Sequence, residues 1–318
     1  KMTEKKTLLF IPAKNEAKTI ASVITDAQSV FTDINIAADI LVIDDGSNDG
    51  TESTAKHVGA HTIRHEQSRG LGSIFKEAVD YAIEQRYDFL VTIDGDKQFS
   101  EKEIPLLLNP LLKNKADFCS GNRFLSGNNI KHMSKTKKTG NALVAHMVNY
   151  ILNTKYTDVS CGFRAYSREA LLHLNLQGGY TYTQEVFLNL GYKKMCILEV
   201  PIHVTYYPTR TSRIANKIFN YGYQVLKIMI SSLLFYRPMK FFGTITALLW
   251  LPSLLAIVIL GMRYLETGLI TPYKAIGVLA ILGFGLGLIL LLVGVILYSL
   301  SRQQLSIDNV LYYAKKRD

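Results

Sequence analysis

Phe89-Leu90-Val91-Thr92-Ile93-Asp94-Gly95-Asp96-Lys97-Gln98 decides the reading of the fold. A short apolar run rich in β-branched residues breaks off at two aspartates one residue apart. Such a run fits a strand buried on both faces, with the aspartates where it leaves the sheet. Open α/β sheets take up ligands at that edge, beyond the carboxyl ends of their strands. Asp94 and Asp96 are hard carboxylate donors, and Gln98 adds an amide oxygen two positions on. Together they suit Mg2+ or Mn2+ carrying a diphosphate. Gly95 lets the backbone come close to a ligand. An acidic turn that merely ends a strand has the same appearance, so the surrounding chain has to decide.

Upstream, Thr7 to Ile11 is a short apolar run, followed by Pro12-Ala13-Lys14-Asn15-Glu16 and a helical pattern through Ile20, Val23, Ile24 and Ala27. This is strand, loop and helix. The loop lacks both the Gly-x-Gly-x-x-Gly fingerprint and the Walker lysine pattern, which disfavours a dinucleotide dehydrogenase or a P-loop enzyme. Ile40 to Ile43 reads as a second buried strand, ending in Asp44-Asp45-Gly46-Ser47-Asn48-Asp49-Gly50-Thr51. Acidic residues there can accept hydrogen bonds from a ribose or a base, and Asp49 is placed to cap the next helix. A third strand near Thr62 to Arg64 leads to Ser68-Arg69-Gly70-Leu71-Gly72, either an approach to phosphate or a plain turn. Phe89 to Ile93 is the fourth strand. A helix ending near Lys113, a strand over Asp117 to Ser120 and Gly121-Asn122-Arg123 follow. Alternation of strands and helices predicts an α/β fold with a mainly parallel sheet covered on both faces.

The last third of the 318 residues is different. No residue is charged from Phe241 to Leu260, nor from Ala275 to Leu300. At about 1.5 Å per residue each run can cross a hydrocarbon layer of about 30 Å. Arg237 and Lys240 precede the first run, Arg302 follows the second, and Lys315, Lys316 and Arg317 close the chain. The connection holds Arg263, Lys274 and Glu266. This bias predicts an integral membrane protein with both termini and the first 240 residues cytoplasmic. With no apolar stretch of signal-peptide type at the start, nothing in the sequence exports the first 240 residues. The net charge of +10 then fits an anionic membrane better than nucleic acid, for which no stacking platform is evident. Cys119, Cys161 and Cys196 lack metal-ligand spacing and read as reduced core residues.

Six ordered motifs carry a resemblance: Ile11-Pro12-x-x-Asn15-Glu16; Asp44-Asp45-Gly46-Ser47-x-Asp49-Gly50-Thr51; Asp94-Gly95-Asp96-x-Gln98; Gly121-Asn122-Arg123; Cys161-Gly162-Phe163-Arg164-Ala165-Tyr166; and Glu199-Val200-Pro201-Ile202. The chain resembles the family 2 glycosyltransferases over about residues 7 to 240. Within them it is most similar to the polyprenyl-phosphate glycosyltransferases, the group containing dolichol-phosphate mannose synthase. The resemblance implies a GT-A domain over 1–213, an amphipathic juxtamembrane segment over 214–240, a two-helix transmembrane hairpin over 241–300 and a tail over 301–318. It implies inverting transfer of one hexose or N-acetylhexosamine from a nucleotide diphosphate sugar to a polyprenyl phosphate.

By the same resemblance Pro12, Asn15, Glu16, Asp44, Asp45, Asp94 and Gly95 meet the nucleotide, while Asp94, Asp96 and Gln98 hold the Mg2+ or Mn2+ ion. An acceptor phosphate is already anionic, so cations to grip it matter more than a strong base. Arg123, Arg164, Arg210 and Arg213 are the candidates, with Asp158 placed to orient acceptor or sugar. The expected catalytic set is Asp96, Arg123, Asp158 and Arg164. Lys97 stands where relatives often carry a small residue. Relatives often have Gly-Lys-Ser-Lys after an Arg before the membrane; here Arg210-Thr211-Ser212-Arg213 is shorter, and the placing of Arg210 stays open. Ile218 to Phe235 is an amphipathic stretch, either interfacial or packed on the domain. Gly127 to Gly140, with four lysines, is either a lid or a solvated charge run. A processive polysaccharide synthase would carry Gln-x-x-Arg-Trp, but the sole Trp, Trp250, lies inside an apolar run. A catalytically silent scaffold is disfavoured by the intact Asp94, Asp96 and Gln98. Gly283, Gly285, Gly287 and Gly294 permit close helix packing, within one chain or between copies.

Overall fold

The computed structural model describes residues 5–125, 133, 135–176, 182–205 and 218–317. Two compact units emerge: Lys1–Met229 with Leu311–Asp318, and Ile230–Val310.

The first unit is built on seven strands: β1 (Thr7–Ala13), β2 (Ala38–Asp44), β3 (His61–Arg64), β4 (Phe89–Thr92), β5 (Phe118–Asn122), β6 (Arg164–Ser167) and β7 (Ile197–Pro201). Their order across the sheet is β3-β2-β1-β4-β6-β5-β7. All neighbours are parallel except β6, which runs antiparallel to both β4 and β5. β5 begins one residue later than the sequence pattern suggests and continues to Asn122.

Side-chain alternation along β1 splits the core in two. Leu9, Ile11 and Ala13 join Ile20, Val23, Ile24, Ala27 and Phe31 of α1 (Ile20–Asp33) and Ile104, Leu107, Leu108 and Leu111 of α4 (Ile104–Leu112). These apolar positions recur at helical spacing, so one face of each helix is buried. On the other face Phe10 meets Phe75 of α3 (Leu71–Glu84), with ring centroids 6.4 Å apart. Tyr182 stacks on Phe75 at 3.8 Å, and Phe118 packs on Tyr166 and Phe187. Each such side chain contributes about 1.5–3 kcal/mol by leaving water. α2 (Thr51–His57), α5 (Lys135–Leu152), α6 (Arg168–His173) and α7 (Thr183–Tyr192) complete the cover. Residues 135–140, expected within a loop, are the first turns of α5, and residues 127–132 lie outside the described residues. Cys119 and Cys161 are buried and free. Cys196 is exposed, contrary to expectation, because it precedes β7 at the sheet edge.

α8 (Ile218–Tyr236) leads to α9 (Pro238–Thr267) and α10 (Lys274–Arg317). α9 and α10 are long and apolar enough to cross a membrane, and most of their apolar side chains face outward, as lipid requires. The buried positions of α10 are Ala280, Gly287, Gly294 and Ser301, a seven-residue repeat of small side chains. A Cβ on Gly287 would stand 2.4 Å from Trp250 Nε1, and one on Gly283 2.5 Å from Ser253 Oγ. Trp250 Nε1 donates to the Phe284 carbonyl at 3.0 Å, and Thr246 Oγ1 to that of Gly287 at 3.1 Å. Gly283, Gly287 and Gly294 are thus occupied within the hairpin, whereas Gly285 has open space. The tail expected over 301–318 is instead a continuation of α10. Its last turns belong to the first unit, where Tyr312 stacks on His173 at 4.3 Å and donates to Glu169 Oε1 at 2.7 Å.

Candidate active site

β1 and β2 pair with Ala13 opposite Asp44, so the loops that follow them leave the sheet side by side. The Asn15 N–H donates to Ser47 Oγ at 2.8 Å, and Asn15 Oδ1 accepts from the Asn48 N–H. The Glu16 N–H donates to Thr51 Oγ1, and that of Ala17 to Asp49 Oδ2. Asp49 Oδ1 accepts from the Thr51 N–H at the start of α2, so it serves both loop and helix. Asp44 is 1% exposed. Its Oδ1 accepts from the Ser47 N–H at 2.9 Å, and its Oδ2 is buried with no hydrogen-bond partner. An orphaned buried acceptor costs about 1–3 kcal/mol, which a ligand N–H or O–H removes. Asp45 departs from expectation. Both its oxygens are engaged by the next loop, Oδ1 by the Arg69 N–H at 2.6 Å and Oδ2 by Ser68 Oγ and the Gly70 N–H. It anchors that loop against the sheet edge. Gly46 is required there, since at φ +79° its Cβ would lie 3.2 Å from the Ser68 nitrogen.

Asp94-Gly95-Asp96 follows β4 in a tight turn. The Gly95 carbonyl accepts from Thr19 Oγ1 at 2.7 Å, and a Cβ at Gly95 would come within 3.1 Å of Ile20 Cδ1. Asp96 Oδ1 accepts from the Gln98 N–H at 3.1 Å. The Asp94 carboxylate lies against Gly162, where a Cβ would stand 3.2 and 3.3 Å from its two oxygens. Thr92 Oγ1 donates to the Gly162 carbonyl at 2.6 Å and fixes that approach. Two hard carboxylates in a glycine-lined turn fit a divalent cation. Among the described residues no cluster of three or more His, Cys, Asp or Glu side chains could hold one alone. A cation held by these two carboxylates would take its remaining ligands from outside that set, as suits Mg2+ or Mn2+. Lys97, at φ +62°, sends its ammonium to Asp26 and Glu101, tying α1 to the 101–103 turn. Burial lowers its pKa, but those hydrogen bonds outweigh it and hold the ammonium above its usual value. Lys97 and Gln98 line a groove of about 660 Å3 with Asp26, Glu101, His203 and Thr205.

At the end of β5 Arg123 makes a bidentate pair with Asp158, Nε to Oδ2 at 2.7 Å and Nη2 to Oδ1 at 2.8 Å. The Arg123 N–H also donates to Asp158 Oδ2, and Nη2 to Ser160 Oγ at 2.9 Å. Asn141 of α5 holds the same segment by donating to the Thr157 carbonyl and accepting from Ser160 Oγ. Glu199 braces it from β7, accepting from Asn122 Nδ2 and from the Thr157 and Asp158 N–H groups. Burial pushes the Glu199 carboxyl above its usual pKa, against the pull of those bonds. Lys137 is held below its usual value by desolvation and by the Arg123 charge.

Arg164 does not take the place the sequence suggested. It is fully buried, with Nε on the Cys161 carbonyl at 2.7 Å, Nη2 on that of Val159 at 3.2 Å, and its guanidinium among Phe118, Tyr182 and Phe187. It shapes the loop before β6 and cannot grip an acceptor phosphate. Arg210 and Arg213 lie outside the described residues. The supports Thr19, Thr92, Asn141, Ser160 and Tyr182 were not visible in the sequence, since isolated polar residues carry no periodic or spacing signal. Tyr182 is buried against Phe75, and burial raises its phenol well above the ordinary value.

The mixed seven-stranded sheet, with an Asp-Gly-Asp turn at the edge where β4 ends, has the GT-A-like fold of glycosyltransferases. The chain belongs to glycosyl transferase family 2, whose sequence model matches residues 9–174, and it is a glycosyltransferase. It is 29% identical over 256 residues to the UDP-N-acetylglucosamine–dolichyl-phosphate N-acetylglucosaminyltransferase of Methanococcus voltae, covering 73% of this chain and 100% of that relative. It is 26% identical to the polyprenol monophosphomannose synthase of Mycolicibacterium smegmatis, covering 63% and 77%. In fold it is similar to glucosyl-3-phosphoglycerate synthase from Mycobacterium tuberculosis in complex with Mn2+, UDP and phosphoglyceric acid. The TM-score is 0.55 at 22% identity, covering 72% of this chain and 78% of that one.

Proposed function

We propose that this enzyme transfers a single hexose or N-acetylhexosamine, with inversion, from a nucleotide diphosphate sugar to a polyprenyl phosphate at the cytoplasmic leaflet. The observation that carries the reading is the Asp94-Gly95-Asp96 turn at the same sheet edge as Asp44, with β1 between their strands, in a chain that also bears two helices long enough to cross a membrane. The named relatives, whose acceptors are lipid phosphates, support the acceptor class.

Asp44 Oδ2 receives a base or ribose donor, with Pro12 near the end of β1 and Asn15 and Glu16 in the loop after it, bonded to the loop that follows Asp44. Asp94 and Asp96, with Gln98, would hold a divalent cation, which when bound neutralises charge developing on the departing diphosphate. An acceptor phosphate oxygen attacks the anomeric carbon from the face opposite the diphosphate. The bond from that carbon to the phosphate forms as the bond to the nucleoside diphosphate breaks. The attacking oxygen is already anionic, so no general base is needed and positioning supplies the rate. The Arg123–Asp158 pair orients the acceptor side, with Asn141 and Glu199 fixing the pair. Arg210 and Arg213 are further candidates to meet the lipid phosphate. The lysine and arginine bias of the flanks supports the cytoplasmic leaflet.

The test is release of nucleoside diphosphate from a panel of uridine and guanosine diphosphate sugars, with Mg2+ or Mn2+, with and without undecaprenyl or dolichyl phosphate. Release that needs both metal and lipid phosphate is expected and identifies the donor. Release indifferent to lipid phosphate refutes the acceptor assignment.

A further inference from the structure

Lys97 stands between Asp96 and Gln98, where its charge by itself repels a divalent cation. Its backbone is left-handed, at φ +62°, a conformation that lysine keeps only where its surroundings impose it. Those surroundings are two carboxylates. The ammonium donates to Asp26 of α1 and, at 3.0 Å, to Glu101 Oε2, so its charge is neutralised on the α1 side of the turn.

Glu101 depends on Lys97 in return. It is 4% exposed, its Oε1 is buried with no hydrogen-bond partner, and its Oε2 accepts from Lys97. A buried carboxylate is costly unless a cation answers it, so this contact is not a loose surface pair. α1 also grips the turn twice. Thr19, just ahead of the helix, donates to the Gly95 carbonyl at 2.7 Å, and Asp26 takes Lys97. The two holds are about 10 Å apart along the helix, so the turn cannot pivot about either one. Downstream the Thr205 N–H donates to the Gln98 carbonyl at 2.8 Å, and Phe99 bridges to Val204. Asp96 is tied to this frame through its bond from the Gln98 N–H. Any slip of Lys97 therefore reaches the residues on both sides of it.

We infer that Lys97 is a positioning residue: its ties to Asp26 and Glu101 hold Asp96 and Gln98 in the arrangement that takes a divalent cation. This deepens the metal assignment above and rests on it. The lysine acts through its neighbours and touches neither donor nor acceptor.

The test uses the full chain in detergent micelles and Mn2+ alone, with the free ion counted by electron paramagnetic resonance. The binding that is read is the part that Asp96→Asn abolishes. Lys97→Asn removes the ammonium and keeps a residue tolerant of a left-handed backbone. It should weaken Mn2+ binding about tenfold, as loss of a group that supports a metal ligand does. The sign is decisive, because removing a positive charge beside a cation tightens binding when charge alone acts. Asp26→Asn, at an exposed side chain, should weaken binding severalfold, and the double variant no further than Lys97→Asn. Lys97→Arg keeps the cation and should stay within about twofold of wild type. Asp33→Asn, two turns further along α1, controls for net charge and should do the same. Thermal midpoints are read alongside, and Asp26→Asn decides the test if Lys97→Asn melts early. Unchanged or tighter binding in Lys97→Asn, additive effects of the two substitutions, or equal losses in Asp33→Asn and Asp26→Asn would each overturn the proposal. Mn2+ binding that survives Asp96→Asn overturns the metal assignment itself and the clamp with it. Loss in Asp96→Asn with wild-type binding in Lys97→Asn removes the clamp alone.

Discussion

Asp158→Asn is the substitution that most directly probes the acceptor side. Asp158 is 0% exposed and Arg123 14%, so their pair is largely out of water. Asp158 Oδ2 accepts from the Arg123 N–H and Nε, while Oδ1 accepts from Arg123 Nη2 and the Ser160 N–H. An asparagine amide can replace only one of those oxygens. Whichever way it turns, its NH2 group faces two donors and the guanidinium keeps an uncompensated charge. Breaking a buried pair from one side costs about 3–5 kcal/mol. In a unit of this size each kcal/mol moves the midpoint by about 2–4 °C, so the expected fall is about 6–20 °C. Cys119 and Cys161 give a reporter confined to the catalytic unit, because both are fully buried and react with a thiol dye only on unfolding. Exposed Cys196 is replaced by Ser for the assay. Adding Arg123→Gln should recover part of the loss, since the double variant leaves no lone charge. A shift below about 2 °C would place the pair with exposed salt bridges worth under about 1 kcal/mol and refute the reasoning. Strict additivity of the two substitutions would refute it as well.

Further outcomes follow from the same geometry. Asp96→Asn should reduce divalent-dependent turnover by about two orders of magnitude with the thermal midpoint unchanged; wild-type turnover would contradict the metal assignment. Gly162→Ala places a methyl 3.2 Å from Asp94 Oδ2, so turnover should drop about tenfold or more while stability changes little, as steady-state kinetics beside a melt will show. Glu199 titrates higher in the folded chain than unfolded, so its contribution to stability is fully present below the ordinary glutamate value and declines as pH rises toward the folded one. Wild type minus Glu199→Gln, measured as midpoint against pH, should slope downward just above pH ~4.5; a flat or rising difference contradicts the burial argument. Gly287→Ala sets a methyl 2.4 Å from Trp250 Nε1, which must shift and weaken its bond to the Phe284 carbonyl. The cost should be about 1–3 kcal/mol, visible as a changed emission maximum of this single tryptophan.

Periodicity and punctuation were enough to determine much of this protein. The apolar runs at Thr7–Ile11, Ile40–Ile43 and Phe89–Ile93, each stopping at Pro or Asp, are local signals of strands entering a buried parallel sheet, and the sheet edge is where they stop. The lengths of the uncharged runs in α9 and α10 are likewise local, because a hydrocarbon layer is crossed by one helix at a time. What the sequence left undecided depends on partners far along the chain. Arg164 and Arg123 look alike as arginines after a glycine motif. Only packing sends the first among Phe118, Tyr182 and Phe187 and delivers the second to Asp158, 35 positions on. Asp44 and Asp45 are adjacent, but the pleat turns their side chains apart, so one keeps an open acceptor and the other is consumed by Ser68 to Gly70. The antiparallel β6, and the glycines of α10 filled by Trp250 and Ser253, belong to the same class. Hydrogen-bond pairing and close packing act through distances in space that spacing along the chain does not encode.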